Sequence, residues 1–192
     1  MEVIEILGYK RKNLGKVNSR KLRSEAYVPG VLYGGKEQVH FSLPMFFLKD
    51  IVYTSKVYFV DLNIEGKVYR SILQDVQFHP VSEMILHVDF LEILDSKKIK
   101  MSIPLSFVGN SVGVAKGGIL AKKERSLWVC AYPKDMPSYI EVDVSGLDLG
   151  KIIRVSQVKC GDYMILASPS TPLASIDIPR ALRSAEAKQK AK

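Results

Sequence analysis

Between Met84 and Phe90 the apolar residues Met84, Leu86, Val88 and Phe90 fall on every second position, with His87 and Asp89 between them. A period of two is a strand with one face on a core, so His87 and Asp89 point together to the other face. Gln77 and His79 share that parity one strand earlier, before a break at Pro80 to Glu83. Two strands joined across this break would place Gln77, His79, His87 and Asp89 on one exposed polar surface. Such a surface carries hydrogen-bond donors and acceptors rather than like charge, and it suits a shaped polar partner.

Strand texture dominates the rest. Met1 to Tyr9 alternates, Val31 to Tyr33 and Val39 to Leu43 are short strands, and Val57 to Ile64 pairs with Lys67 to Gln77 across a Glu65-Gly66 turn. Pro44 to Ser55 predicts a helix with Pro44 at its first position and a core stripe of Phe47, Leu48, Ile51 and Val52. From Ile99 onward strands recur between turns, at Ile99 to Val108, Gly117 to Leu120, Ser126 to Ala131, Tyr139 to Val144 and Ile152 to Val155. Ser168-Pro169-Ser170-Thr171-Pro172 closes the strand pattern. The expected fold is mainly β with a few short helices: an N-terminal domain over 1–94, an all-β domain over 95–179 shaped as a small sandwich or open barrel, and a basic flexible tail over 180–192.

The chain has 192 residues, 47% of them hydrophobic, enough for a core. No run approaches the ~18 apolar residues of a membrane span, and the N-terminus lacks the pattern of a signal peptide, so a cytoplasmic location without membrane contact is expected. Cys130 and Cys160 lack C-x-x-C spacing, and only three histidines accompany them, so reduced thiols and no metal are expected. The net charge of +8 favours a polyanionic partner.

That charge is concentrated. Lys10, Arg11, Lys12, Lys16, Arg20, Lys21 and Arg23 lie in one stretch without an acid. It predicts a phosphate-binding arm, with a short helix from Ser19 to Ala26 capped by Ser19. Next come Tyr33, able to stack on a base, and Gly34-Gly35-Lys36, a weak phosphate motif without P-loop spacing. The glycine-rich segment Val112 to Leu120 lacks G-x-G-x-x-G spacing, and tight turns and close backbone packing account for it better than a nucleotide site. His87 and Asp89, with His79 near, are ligand-capable for a metal hydrolase, but no carboxylate cluster, nucleophile motif or cofactor fingerprint accompanies them. No enzyme, cofactor or small-molecule substrate is expected.

Taken in order, Gly15-Lys16 with Ser19-Arg20-Lys21-Leu22-Arg23, then Val28 to Lys36, Gln74 to Pro80, Leu86 to Phe90, Gly117 to Leu120 and Ile140 to Leu147 resemble the long form of the Ctc family of bacterial large-subunit ribosomal proteins. The resemblance spans nearly the whole chain. It implies a small β-barrel with flanking helices that binds 5S ribosomal RNA near loop E, a Ctc-type C-terminal extension, and a ribosome-associated location beside other large-subunit proteins and rRNA. The family's RNA face falls here on Arg11, Arg20, Arg23, Tyr33, His87 and Asp89. Gln77 and His79 match the neighbouring strand, and Lys16 and Lys36 belong to the matching basic motifs. Two positions depart from the pattern: Val17 stands where many members have glycine, and Phe78 where some have arginine. The competing reading is a stress-related protein-interaction module with non-specific RNA binding.

Overall fold

A computed structural model describes residues 1–180; the expected tail lies outside these apart from Arg180. The chain forms two compact units, Met1–Met101 with Ala131–Ser138, and Ser102–Cys130 with the residues from Tyr139 onward.

The first unit is built on β1 (Glu2–Lys10), α1 (Lys16–Ser24), β2 (Tyr27–Tyr33), β3 (Val39–Pro44), α2 (Phe46–Val52), β4 (Tyr58–Ile64), β5 (Lys67–Phe78) and β6 (Ile85–Glu92). The six strands close into a barrel in the order β1-β3-β2-β6-β5-β4, so no sheet edge is left open. Its interior is filled by Ile6, Val28, Leu32, Phe41, Leu43, Val60, Leu62, Val88 and Phe90, together with Leu48 and Ile51 of α2. Burial of each such side chain contributes about 1.5–3 kcal/mol. The β4–β5 hairpin turns where the sequence places it: Glu65 (φ 51°) and Gly66 (φ 87°) both take positive φ, the geometry of a two-residue I′ turn.

Three expectations are corrected here. Pro44 ends β3 opposite Tyr27, and the Met45 amide bonds the Ala26 carbonyl at 3.0 Å. The helix therefore starts at Phe46, and pairing to β2 overrides the N1 preference of proline. Helix α1 spans Lys16–Ser24 and follows Gly15, so Ser19 lies inside it rather than at its cap. Its hydroxyl bonds back to the Gly15 carbonyl at 2.9 Å. The alternation in β6 is also broken. Ile85, Val88 and Phe90 are buried, Leu86 is half-buried, and Met84 is 48% exposed. Gln77 pairs with His87 but Phe78 with Ile85, so Leu86 is an extra residue on β6. This β-bulge reverses which parity faces the core.

In the second unit run β7 (Ile99–Val108, entering from the first unit), α3 (Val112–Ala115), β8 (Ile119–Lys122), β9 (Ser126–Ala131), β10 (Ile140–Asp143), β11 (Ile152–Arg154), β12 (Met164–Ile165) and β13 (Pro172–Asp177). They form two sheets, β10-β7-β9-β12 and β11-β13-β8. The strand pattern does not stop at Pro172, as expected, but resumes there. β13 is the middle strand of its sheet, and Leu173, Ala174, Ser175 and Ile176 are all buried. A strand buried on both faces shows no alternation, which hid it. In the glycine-rich segment, a Cβ on Gly118 would lie 2.5 Å from Ile176 and 2.8 Å from the Gly113 carbonyl, so close packing accounts for the glycine.

Candidate nucleic-acid interface

The outer face of β2, β6 and β5 can be read row by row from the ladder. Val31 stands beside Asp89, Asp89 beside Asp75, and His87 beside Gln77. Asp89 Oδ1 lies 2.7 Å from His87 Nδ1, with both side chains 28% exposed. An ionised carboxylate only accepts, so Nδ1 carries the proton and Nε2 is the ring nitrogen left for a partner. Tyr33, two residues beyond Val31, is half-buried. Its hydroxyl keeps its proton above the usual tyrosine range because of burial first, then the negative charges of Asp89 and Asp75.

The cationic arm is fixed beside this face through the bulge. A bulged residue leaves its ladder position unpaired, and the Leu86 carbonyl accepts a hydrogen bond from Arg23 Nε at 3.0 Å, tying the end of α1 to β6. At the other side of α1, Arg11 Nη2 donates to Ser19 Oγ at 3.0 Å, while Arg11 Nε is buried without a partner. Burial, and then repulsion from Arg23, lower the Arg11 pKa from its ordinary value. Arginine stays charged all the same, so two cations are held close on a surface that favours an anion. Lys16, Arg20 and Arg23 are spaced four and three apart, which lines them along one side of α1.

Two of the ten residues singled out from the sequence stand apart. His79 lies beyond the bulge, where the strand-parity argument does not reach. Its Nδ1 accepts from the Val81 and Ser82 amides at 3.3 and 3.2 Å, closing the turn into β6. Lys36 lines a cavity at the far end of β6, with Glu92. Sequence reasoning missed Ser19 as the anchor of Arg11, the Leu86 carbonyl as the anchor of Arg23, and Asp75. Only Asp75 left a signal, the parity it shares with Gln77. Among the described residues no group of three or more His, Cys, Asp or Glu could hold a metal.

Comparison with known proteins covers the whole chain. Residues 6–90 match the Ribosomal L25p family, and residues 98–180 match the C-terminal domain of ribosomal protein TL5. The large ribosomal subunit protein bL25 of Amoebophilus asiaticus is 58% identical over 100% of this chain and 98% of its own. The chain belongs to the bL25 family. The bL25 proteins of Cytophaga hutchinsonii and Phocaeicola vulgatus are 50% and 39% identical, each over 97% of this chain and 97% and 98% of their own. As a member of the bL25 family the chain is a structural, non-enzymatic constituent of the large ribosomal subunit, ribosome-associated in the cytoplasm. The two successive matches correspond to the long, two-domain form that the motifs resemble.

Proposed function

We propose that this chain binds 5S rRNA, in its loop E region, through a domain formed by residues 1–94, and that residues 95–179 form a second domain beside it. The observation that carries this reading is the convergence of two kinds of group on one surface. Arg11 and Arg23 are pinned by Ser19 and by the Leu86 carbonyl, next to strands that present Gln77, His87 and Asp89. Cations fix the register on phosphates, and polar groups reach base edges and 2′-hydroxyls. Arg11, Arg20, Arg23 and Lys16 take the phosphates in this reading. Gln77 and His87 reach polar edges, His79 holds the turn into β6 at the margin of this face, and Tyr33 supplies a stacking ring. Asp89 would repel phosphate, so it serves as an acceptor for a base amino group and as the orienting partner of His87. Neighbouring ribosomal proteins and rRNA complete the surroundings.

The test is a competition assay with labelled 5S rRNA and excess transfer RNA. Retained 5S rRNA binding is expected, and loss to transfer RNA would leave only a general polyanion binder. Arg11→Gln or Arg20→Gln should flatten the salt dependence by at most about one unit of log–log slope. Asp89→Ala should weaken binding by roughly 1–3 kcal/mol, the loss of a charged hydrogen bond, with the slope unchanged. Binding by folded Asp89→Ala as tight as that of the parent chain would remove Asp89 from the interface.

A further inference from the structure

The separation of Lys36 from the arm opens a second site. The cavity it lines has a volume of about 540 Å³ and is walled by Gly35, Lys36, Glu37, Lys67, Tyr69, Glu92, Leu94 and Lys97. Its three lysines come from three places in the chain: the loop after β2, the first residue of β5, and the turn after β6 that the Lys97 amide closes onto the Leu94 carbonyl at 3.0 Å. All three are exposed, and none has a carboxylate within ion-pair distance among the described residues. Of the two acids, Glu92 is half-buried, with its carboxyl packed against Gly35. Only Glu37 is fully on the surface beside the lysines.

Three ammonium groups without an ion pair share the concavity with Glu37 and Glu92, so the lining stays net positive, by one charge, and a concave surface concentrates that charge toward an incoming anion. An anion there offsets this charge. The cavity lies at the Glu92 end of β6, whereas α1 is tied to Leu86 at the other end. The five-residue step from His87 to Glu92 spans roughly 16 Å at the rise of a strand. One phosphate cannot serve both places, but one length of RNA lying along β6 can.

We propose that Lys36, Lys67 and Lys97 form a second phosphate-binding site, which takes backbone phosphates of the same RNA at the opposite end of β6 from the arm. The inference rests on the RNA-binding reading above and adds two residues, Lys67 and Lys97, that the sequence did not single out.

The experiment uses the full chain, the Lys67→Gln/Lys97→Gln double variant, and Arg11→Gln as a control, each titrated with 5S rRNA over a salt series. The double variant should lose roughly tenfold or more in affinity near physiological salt, with the log–log slope reduced by between about one and two units. Unchanged affinity and slope in the double variant, with Arg11→Gln impaired, overturns the second site and leaves the main reading standing. Failure of the unsubstituted chain to bind 5S rRNA overturns both. Acetylation footprinting gives a second readout: 5S rRNA should protect Lys36, Lys67 and Lys97, and inorganic phosphate should not. Equal protection by phosphate alone marks a free-anion site and overturns the RNA assignment.

Discussion

Tyr33 and Ala26 show how single residues carry the consequences of this fold. Burial and the charges of Asp89 and Asp75 keep the Tyr33 proton on above the usual tyrosine range of about 10. A pKa raised by folding contributes stability below the unfolded value, and that contribution is lost as pH rises through the folded one. Tyr33→Phe should therefore lessen the loss of stability on the alkaline side, as read from melting temperatures across pH. Asp89→Asn should bring the Tyr33 titration down, as read from its ring resonances. Ala26 follows α1 with φ 60°, a left-handed conformation, while its carbonyl accepts from the Met45 amide. An L-residue there costs roughly 1–2 kcal/mol relative to glycine's freedom, so Ala26→Gly should stabilise the chain by up to about 1 kcal/mol once glycine's own entropy is set against it. Chemical denaturation checks this.

At the scale of the element, α1 is held from outside. It buries no residue, and no side chain caps its start, so a helix of nine residues would be marginal alone. The bond from Arg23 to the Leu86 carbonyl and the bond from Arg11 to Ser19 keep it in place. Arg23→Ala should destabilise the docked helix by ~1.5 kcal/mol, the low end for a charged donor in a half-buried bond. Hydrogen exchange should show amides of α1 opening about tenfold more readily while the β2 and β6 amides keep their protection. These anchors were not legible in the sequence. Alternation and turn residues were enough for β1, β3, β4, β5, the Glu65-Gly66 turn and most of the second unit's strands, because each depends on neighbours in the chain. The bulge at Leu86 depends on the register between two strands, the anchor of Arg23 lies 63 residues away, and β13 is buried on both faces, so none of these leaves a local period. His87 and Asp89 were legible as a pair, two residues apart on one strand, whereas the place of Lys36 depended on where the loop after β2 lands.

On the scale of the whole molecule, the charge is unevenly shared. Residues Lys10 to Arg23 hold seven cations and no acid, while the rest of residues 1–101 hold eight cations and twelve acids. Outside the arm this part of the chain is net acidic, so positive charge that could attract a polyanion is held in local clusters rather than spread over the surface. The net charge of +8 pointed to a polyanion, and the family match agrees with that. The return of Ala131–Ser138 to the first unit was invisible in composition. It brings Ala131 and Met136, both buried. A chain ended after Met101 lacks them and should melt at a lower temperature than the first unit does in the full chain. In the proposed reading its 5S rRNA affinity is retained, because none of the ten residues singled out from the sequence is removed. Scanning calorimetry with filter binding tests the two parts separately.

The bulge at Leu86 also imposes an order in time. The arm leaves the exit of a translating ribosome more than sixty residues ahead of the carbonyl that will hold Arg23. Until β6 is in place, Arg23 lacks this anchor. A long-range contact of this kind forms late in folding, after the chain between has been ordered. The most basic stretch is made first and anchored last, so in the proposed reading discrimination between RNAs is acquired only when the barrel closes.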